Sequence, residues 1–157
     1  MLEDISFKGE YYDPDFFAFM DDTDLSIRSL LCGWSTRYNP TAVGRHVRGG
    51  SSSKLADFVY YLCLRNERLF YYKTFKADLN KFDPARSALD LVRKFTVPAA
   101  VREKAEAGFR ELYPAAMERR KAFEGKHDFR NLEPFLLGSR VIFSAKEKIM
   151  RGFQTPH

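Results

Sequence analysis

The sequence predicts a mixed α/β fold that is mostly helical. Three observations carry that expectation. Strand-like runs separated by turn signals end by about residue 47, apolar residues then recur at three- and four-residue steps, and Asp-Pro and Val-Pro pairs mark helix starts in the second half. The 157 residues include 24 aromatics and are 45% hydrophobic. That is enough apolar material for one core, which excludes a disordered chain, a collagen-like repeat or a disulfide miniprotein. No internal repeat or low-complexity linker divides the chain, so one domain with a helical tail is the economical parse.

The elements follow in order. Residues 11–20, YYDPDFFAFM, read as extended, because they are aromatic and β-prone and Pro14 blocks an earlier helix. A short helix follows, with Asp21 or Asp22 as cap, Leu25, Ile27, Leu30 and Leu31 near helical spacing, and Gly33 as its stop. Trp34–Tyr38 and Ala42–Val47 read as two strands flanking the turn Asn39–Pro40. Gly49–Ser53 is a loop whose last serines can cap the next helix.

That next helix, Lys54 to about Lys76, is the most aromatic part of the chain. Leu55, Phe58, Val59, Leu62, Leu69 and Tyr72 form a stripe, widened by Tyr61, Leu64, Tyr71 and Phe75 and interrupted by Arg65, Arg68, Lys73 and Lys76. Such a stripe packs on a core, or it lies in a membrane interface with its bases at headgroup depth. Asp83–Pro84 opens a helix over Ala85–Phe95, and Val97–Pro98 opens another over Ala99–Tyr113. Pro114 is expected to interrupt the pattern, Gly125 to stop it, and a last helix to run from Glu133 to Arg151.

Charge is unevenly placed. Residues 1–24 hold eight acids and one base, whereas residues 25–157 hold 25 bases and 13 acids, for an overall net of +5. An acidic opening before a basic remainder suits a site for protons or metal beside a surface that meets phosphate or anionic lipid. Nucleic acid is not the expected partner: no RNA-binding sheet motif, zinc pattern or compact basic helix stands out, and the acidic opening would repel a phosphate backbone. The longest stretch free of charged residues is Ser29–Thr36, eight residues. About 20 are needed to span a bilayer. Met1–Asp4 does not open a signal peptide. Cys32 and Cys63 sit in apolar runs without a CxxC or Cys/His pairing, which favours free thiols and a cytoplasmic location, peripheral on the inner membrane face if the aromatic stripe meets lipid.

Asp21, Asp22 and Asp24 at a helix start can be caps, or can include a carboxylate that takes a proton from a bound hydroxyl or binds a divalent cation. On a helix Asp22 and Asp24 point about 200° apart, which does not suit joint chelation. His46 is the one histidine in a β-prone run, and strand alternation puts Arg48 on its face. An imidazole beside a guanidinium suits a metal–diphosphate, with nitrogen on the metal and Arg48 on phosphate oxygen.

Together these residues resemble a family. Asp15–Arg28, then Gly33–Trp34, Tyr38–Val43, His46 and Ser51–Ser52, are similar to the C-terminal half of family 2 inverting glycosyltransferases, the rhamnosyltransferase-like group. Tyr60–Tyr61 and Arg65–Asn66 resemble a Tyr-Tyr-x-x-x-Arg-Asn signature of that group, so the likeness covers roughly residues 1–75. It implies the C-terminal part of a glycosyltransferase type A fold: an acceptor-side region over 1–53 with a short β-hairpin, an amphipathic helix over 54–76, and a helical tail over 77–157. Asp22 matches the general base of the family's Glu-Asp-x-Asp-Leu motif. Asp21 stands where the family usually has Glu, and with Trp34 falls on the acceptor side. His46 matches a histidine that helps bind a divalent metal, Mg or Mn, on the nucleotide diphosphate. The implied partners are a nucleotide-sugar donor and a glycan or lipid-linked acceptor. The donor-binding half precedes this segment in the family, and about twenty residues before the acids are too few to hold it. A complementing N-terminal chain is then expected, with little turnover without it.

Overall fold

The computed structural model describes residues 1–45, 55–75 and 84–132, and is mostly helical. Among the described residues there are five α-helices and no strand: α1 (Leu2–Ile5), α2 (Asp21–Leu31), α3 (Ala56–Phe75), α4 (Pro84–Thr96) and α5 (Ala99–Lys121). Short 3-10 turns lie at Pro14–Phe16 and Phe129–Leu132.

Helices α3 and α5 pack against each other and carry the core. Leu69, Phe70 and Tyr71 of α3 meet Phe109 and Ala116 of α5 around Phe16, which the N-terminal segment inserts. Their close approach depends on Gly108. A Cβ there would lie 2.7 Å from the Tyr61 hydroxyl and 3.2 Å from Cδ of Arg65. A glycine in a helix interior costs about 1 kcal/mol relative to alanine, and here it admits two side chains of the neighbouring helix.

Helix α2 ends as its sequence predicts. Gly33 has φ +84°, its N–H donates to the Leu30 carbonyl at 2.9 Å, and the Trp34 N–H donates to the Ser29 carbonyl at 2.9 Å. These paired bonds form a Schellman cap, whose left-handed position favours glycine. The turn at Phe129–Leu132 closes on this end, with the Asp128 N–H donating to the Leu31 carbonyl at 2.8 Å.

Three of these expectations change. Residues 11–20 are not a strand but a compact loop, because their carbonyls are taken by side chains of α3. Residues 34–45 form no strand either: every one is exposed, Tyr38 by 88% and Val43 by 86%. Two strands without a sheet or helix to cover them are marginal in water. Pro114 does not break α5, which runs through it. Pro114 is exposed, so water can reach the carbonyl one turn back that loses its donor. The stripe of α3 divides: Leu62, Leu69, Phe70 and Tyr71 are buried, as core packing requires, while Leu55 and Phe58 near its start are exposed. The loop at 49–53, the last expected helix over Glu133–Arg151, His46 and Arg48 lie outside the described residues.

The acidic opening meets the basic helices inside the protein. Lys73 of α3 is buried with Nζ 2.7 Å from Asp13 Oδ2 and 2.6 Å from Asp24 Oδ1. Arg28 holds the other Asp24 oxygen at 2.8 Å and donates to the Ile5 and Tyr11 carbonyls. Arg119 of α5 closes the group at 3.2 Å from Asp13 and 3.1 Å from Glu10. This ionic knot ties the N-terminal segment, α2, α3 and α5 together. Part of the charge asymmetry is thereby neutralised within the fold.

Candidate functional site

The segment that enters α2 is built in an unusual backbone. Phe17, Phe19 and Met20 have φ of +62°, +67° and +68°. Bulky residues pay roughly 1–3 kcal/mol each for such conformations, which persist only where the surroundings over-determine them. Asn66 of α3 supplies that constraint. It is fully buried, and its Nδ2 donates to the carbonyls of Phe16 at 2.8 Å, Ala18 at 2.7 Å and Phe19 at 3.0 Å. Arg65 completes the clamp: its Nε donates to Asn66 Oδ1 at 2.9 Å, and its Nη2 donates to the carbonyls of Asp15 at 2.6 Å and Phe16 at 3.1 Å. The Arg65 bond to Oδ1 also fixes which end of the Asn66 amide faces the loop.

The clamp leaves the first turn of α2 outside. Met20 is the residue before the helix, and its carbonyl accepts the Asp24 N–H at 2.8 Å. Asp22 is exposed, with Oδ1 accepting the Thr23 N–H at 2.7 Å. Asp21 beside it is half-buried. Asp24 differs in kind, because both of its oxygens are occupied by Lys73 and Arg28 inside the knot. The three acids thus separate into one solvent-facing carboxylate, one at the edge, and one structural ion-pair partner. Asp22 and Asp24 form no chelating pair, and among the described residues no cluster of three His, Cys, Asp or Glu side chains is placed to hold a metal ion.

Trp34 sits beyond the opposite end of α2, where its Nε1 donates to Asp4 Oδ2 at 3.0 Å. Eleven helical residues separate the two ends, about 16 Å at 1.5 Å per residue. The structure therefore joins Asp21 and Asp22 but places Trp34 apart from them. Sequence reasoning missed the holding role of Arg65 and Asn66. Their signal was an Arg-Asn dipeptide opening a polar step, Arg65 to Arg68, between the apolar residues Leu62–Leu64 and Leu69–Tyr72 of one helix.

Beside the knot a small cavity is lined by Tyr12, Arg28, Lys73, Arg120, Phe123 and His127. Its volume of about 20 Å³ suits a single water, not a sugar or nucleotide. His127 stacks on Phe123 with ring centroids 5.1 Å apart, and burial together with the Arg120 and Arg28 charges lowers its pKa to about 4. Burial also raises the thiol pKa of Cys32 and Cys63, both free and half-buried. Burial and the adjacent Asp13 carboxylate raise Asp15. Compared with known proteins, the chain matches no family model, no curated protein and no solved structure.

Proposed function

We propose that residues 15–66 form the acceptor side of an inverting glycosyltransferase, with Asp22 as general base. The carrying observation is the coupling of two motifs that lie fifty residues apart. The Arg65–Asn66 pair, similar to the family's Arg-Asn, holds the loop that presents Asp22, which is similar to the family's base. Strain concentrated in that loop adds support, since unfavourable backbone is retained where a site needs fixed geometry.

In this reading an acceptor hydroxyl approaches the first turn of α2. Its proton passes to the Asp22 carboxylate as the oxygen forms its bond to the anomeric carbon. The bond from that carbon to the donor's phosphate oxygen breaks on the opposite face, and the nucleoside diphosphate leaves with the electron pair. Inversion follows from this single displacement. Asp21 lies where it can orient the acceptor. A divalent ion would stabilise the leaving diphosphate when bound. Asp24 does not suit it, being engaged by Lys73 and Arg28, so His46 and a donor-binding half would supply the ion's ligands, with Arg48 on phosphate.

The test is sugar transfer from labelled nucleotide sugars to a glycan panel, with this chain combined with a family 2 donor-binding half. Asp22→Asn should lower kcat by roughly 10²-fold or more, the usual scale for a positioned base, while leaving donor affinity near that of the unsubstituted chain. Transfer that survives Asp22→Asn would remove the assignment.

A further inference from the structure

Helix α4 is built inside out. Its charged side faces the protein: Arg93 donates to Glu67 of α3 at 2.6 Å and to Asp90 at 3.1 Å, and Val97 just past the helix is buried. Its apolar side faces solvent. Leu91, Val92 and Phe95 are exposed by 55%, 53% and 84%, and with exposed Ala88 they recur at the three- and four-residue steps of a single helical stripe. A surface helix of a globular domain normally turns that stripe to the core and its charges to water.

The sequence around the stripe is net basic: residues 84–104 hold five bases against two acids, of which Arg93 is paired with Glu67 and Asp90, and Lys94 is exposed on the stripe's flank. We propose that α4 lies in the interface of an anionic bilayer, with Leu91, Val92 and Phe95 below the headgroups and Lys94 among them. Such a surface complements both properties at once, whereas a second copy of the same face would bring like charges together. Thirteen residues make a helix of about 20 Å, suited to lying in the membrane plane. No helix among the described residues is long and apolar enough to cross a membrane. The C-terminal half of the α3 stripe is not the contact, being buried against α5, and the exposed Leu55 and Phe58 near its start carry no part of this proposal. This inference does not rest on sugar transfer, and an Asp22→Asn chain should bind vesicles unchanged.

The experiment is flotation of the full chain with vesicles of phosphatidylcholine alone or mixed with phosphatidylglycerol. Binding should require the anionic lipid. It should fall roughly tenfold or more in Leu91→Ser/Phe95→Ser and about fivefold in Lys94→Gln at low salt, the scale of about one lost headgroup attraction. Because these side chains are already in water, far-UV circular dichroism should not change. Should the double variant nonetheless fail to fold, Phe95→Trp in a Trp34→Phe background reads the same contact, through a blue shift only with anionic vesicles. Binding indifferent to the stripe, no anionic dependence, or a wild-type dimer that the double variant dissolves would each overturn the proposal.

Discussion

Replacing Asn66 with leucine keeps most of the side-chain volume and removes every bond of the clamp that the amide makes. Two N–H hydrogens serve three carbonyls, so one is shared, and Oδ1 additionally accepts from Arg65. Phe16 keeps a second donor in Arg65, whereas Ala18 and Phe19 lose the bond to Asn66 and Arg65 Nε loses its acceptor. At about 1 kcal/mol for each of these three groups, the change should destabilise the fold by about 3 kcal/mol. Relief of strain at Phe17, Phe19 and Met20 offsets part of this if the loop relaxes. With a urea slope of about 2 kcal/mol/M, the midpoint should fall by about 1–1.5 M. Amide hydrogen exchange should speed up first over residues 16–22. An unchanged midpoint, or faster exchange spread evenly over α3 and α5, would refute the clamp and leave Asn66 as core filler.

Two further outcomes can be checked independently. His127 has a folded pKa of about 4 against an ordinary histidine value of 6.5, so the unfolded chain binds its proton first as pH falls. The stability present above pH 6.5 should therefore decline as pH drops toward 4. With solvent screening of a partly exposed ring, the loss is about 1–2 kcal/mol, and thermal melts of His127→Gln should lack it. Gly108→Ala should destabilise by about 1–2 kcal/mol despite alanine's better helix propensity, since the new methyl meets Tyr61 and Arg65. A gain in denaturation midpoint would show that α3 and α5 separate freely.

The helices were legible where their signals are local. Gly33 marks the end of α2 because only nearby carbonyls decide the cap, and the prolines at 84 and 98 mark the starts of α4 and α5. The 11–20 loop was misread because its conformation is imposed by Arg65 and Asn66, fifty residues away, and no propensity in YYDPDFFAFM encodes that. Trp34–Tyr38 has strand composition but nothing to pack on. Within the candidate site the position of Asp22 was legible. The burial of Asp24 was only half so: its i,i+4 spacing to Arg28 was visible, but Lys73 announced nothing.

The ionic knot makes the opening segment a working part of the helical core. A product initiated internally at Met20 would still carry Asp21, Asp22 and Asp24, and on paper would keep the whole acidic motif. It would lack Glu10 and Asp13, stranding Arg119 without those counter-ions and leaving Lys73 with Asp24 alone. Uncompensated interior charge costs about 3–5 kcal/mol, a large share of the roughly 5–15 kcal/mol that holds a domain folded. Motif and fold would then part company: the shorter polypeptide would spell out the acidic triplet without being able to aim it.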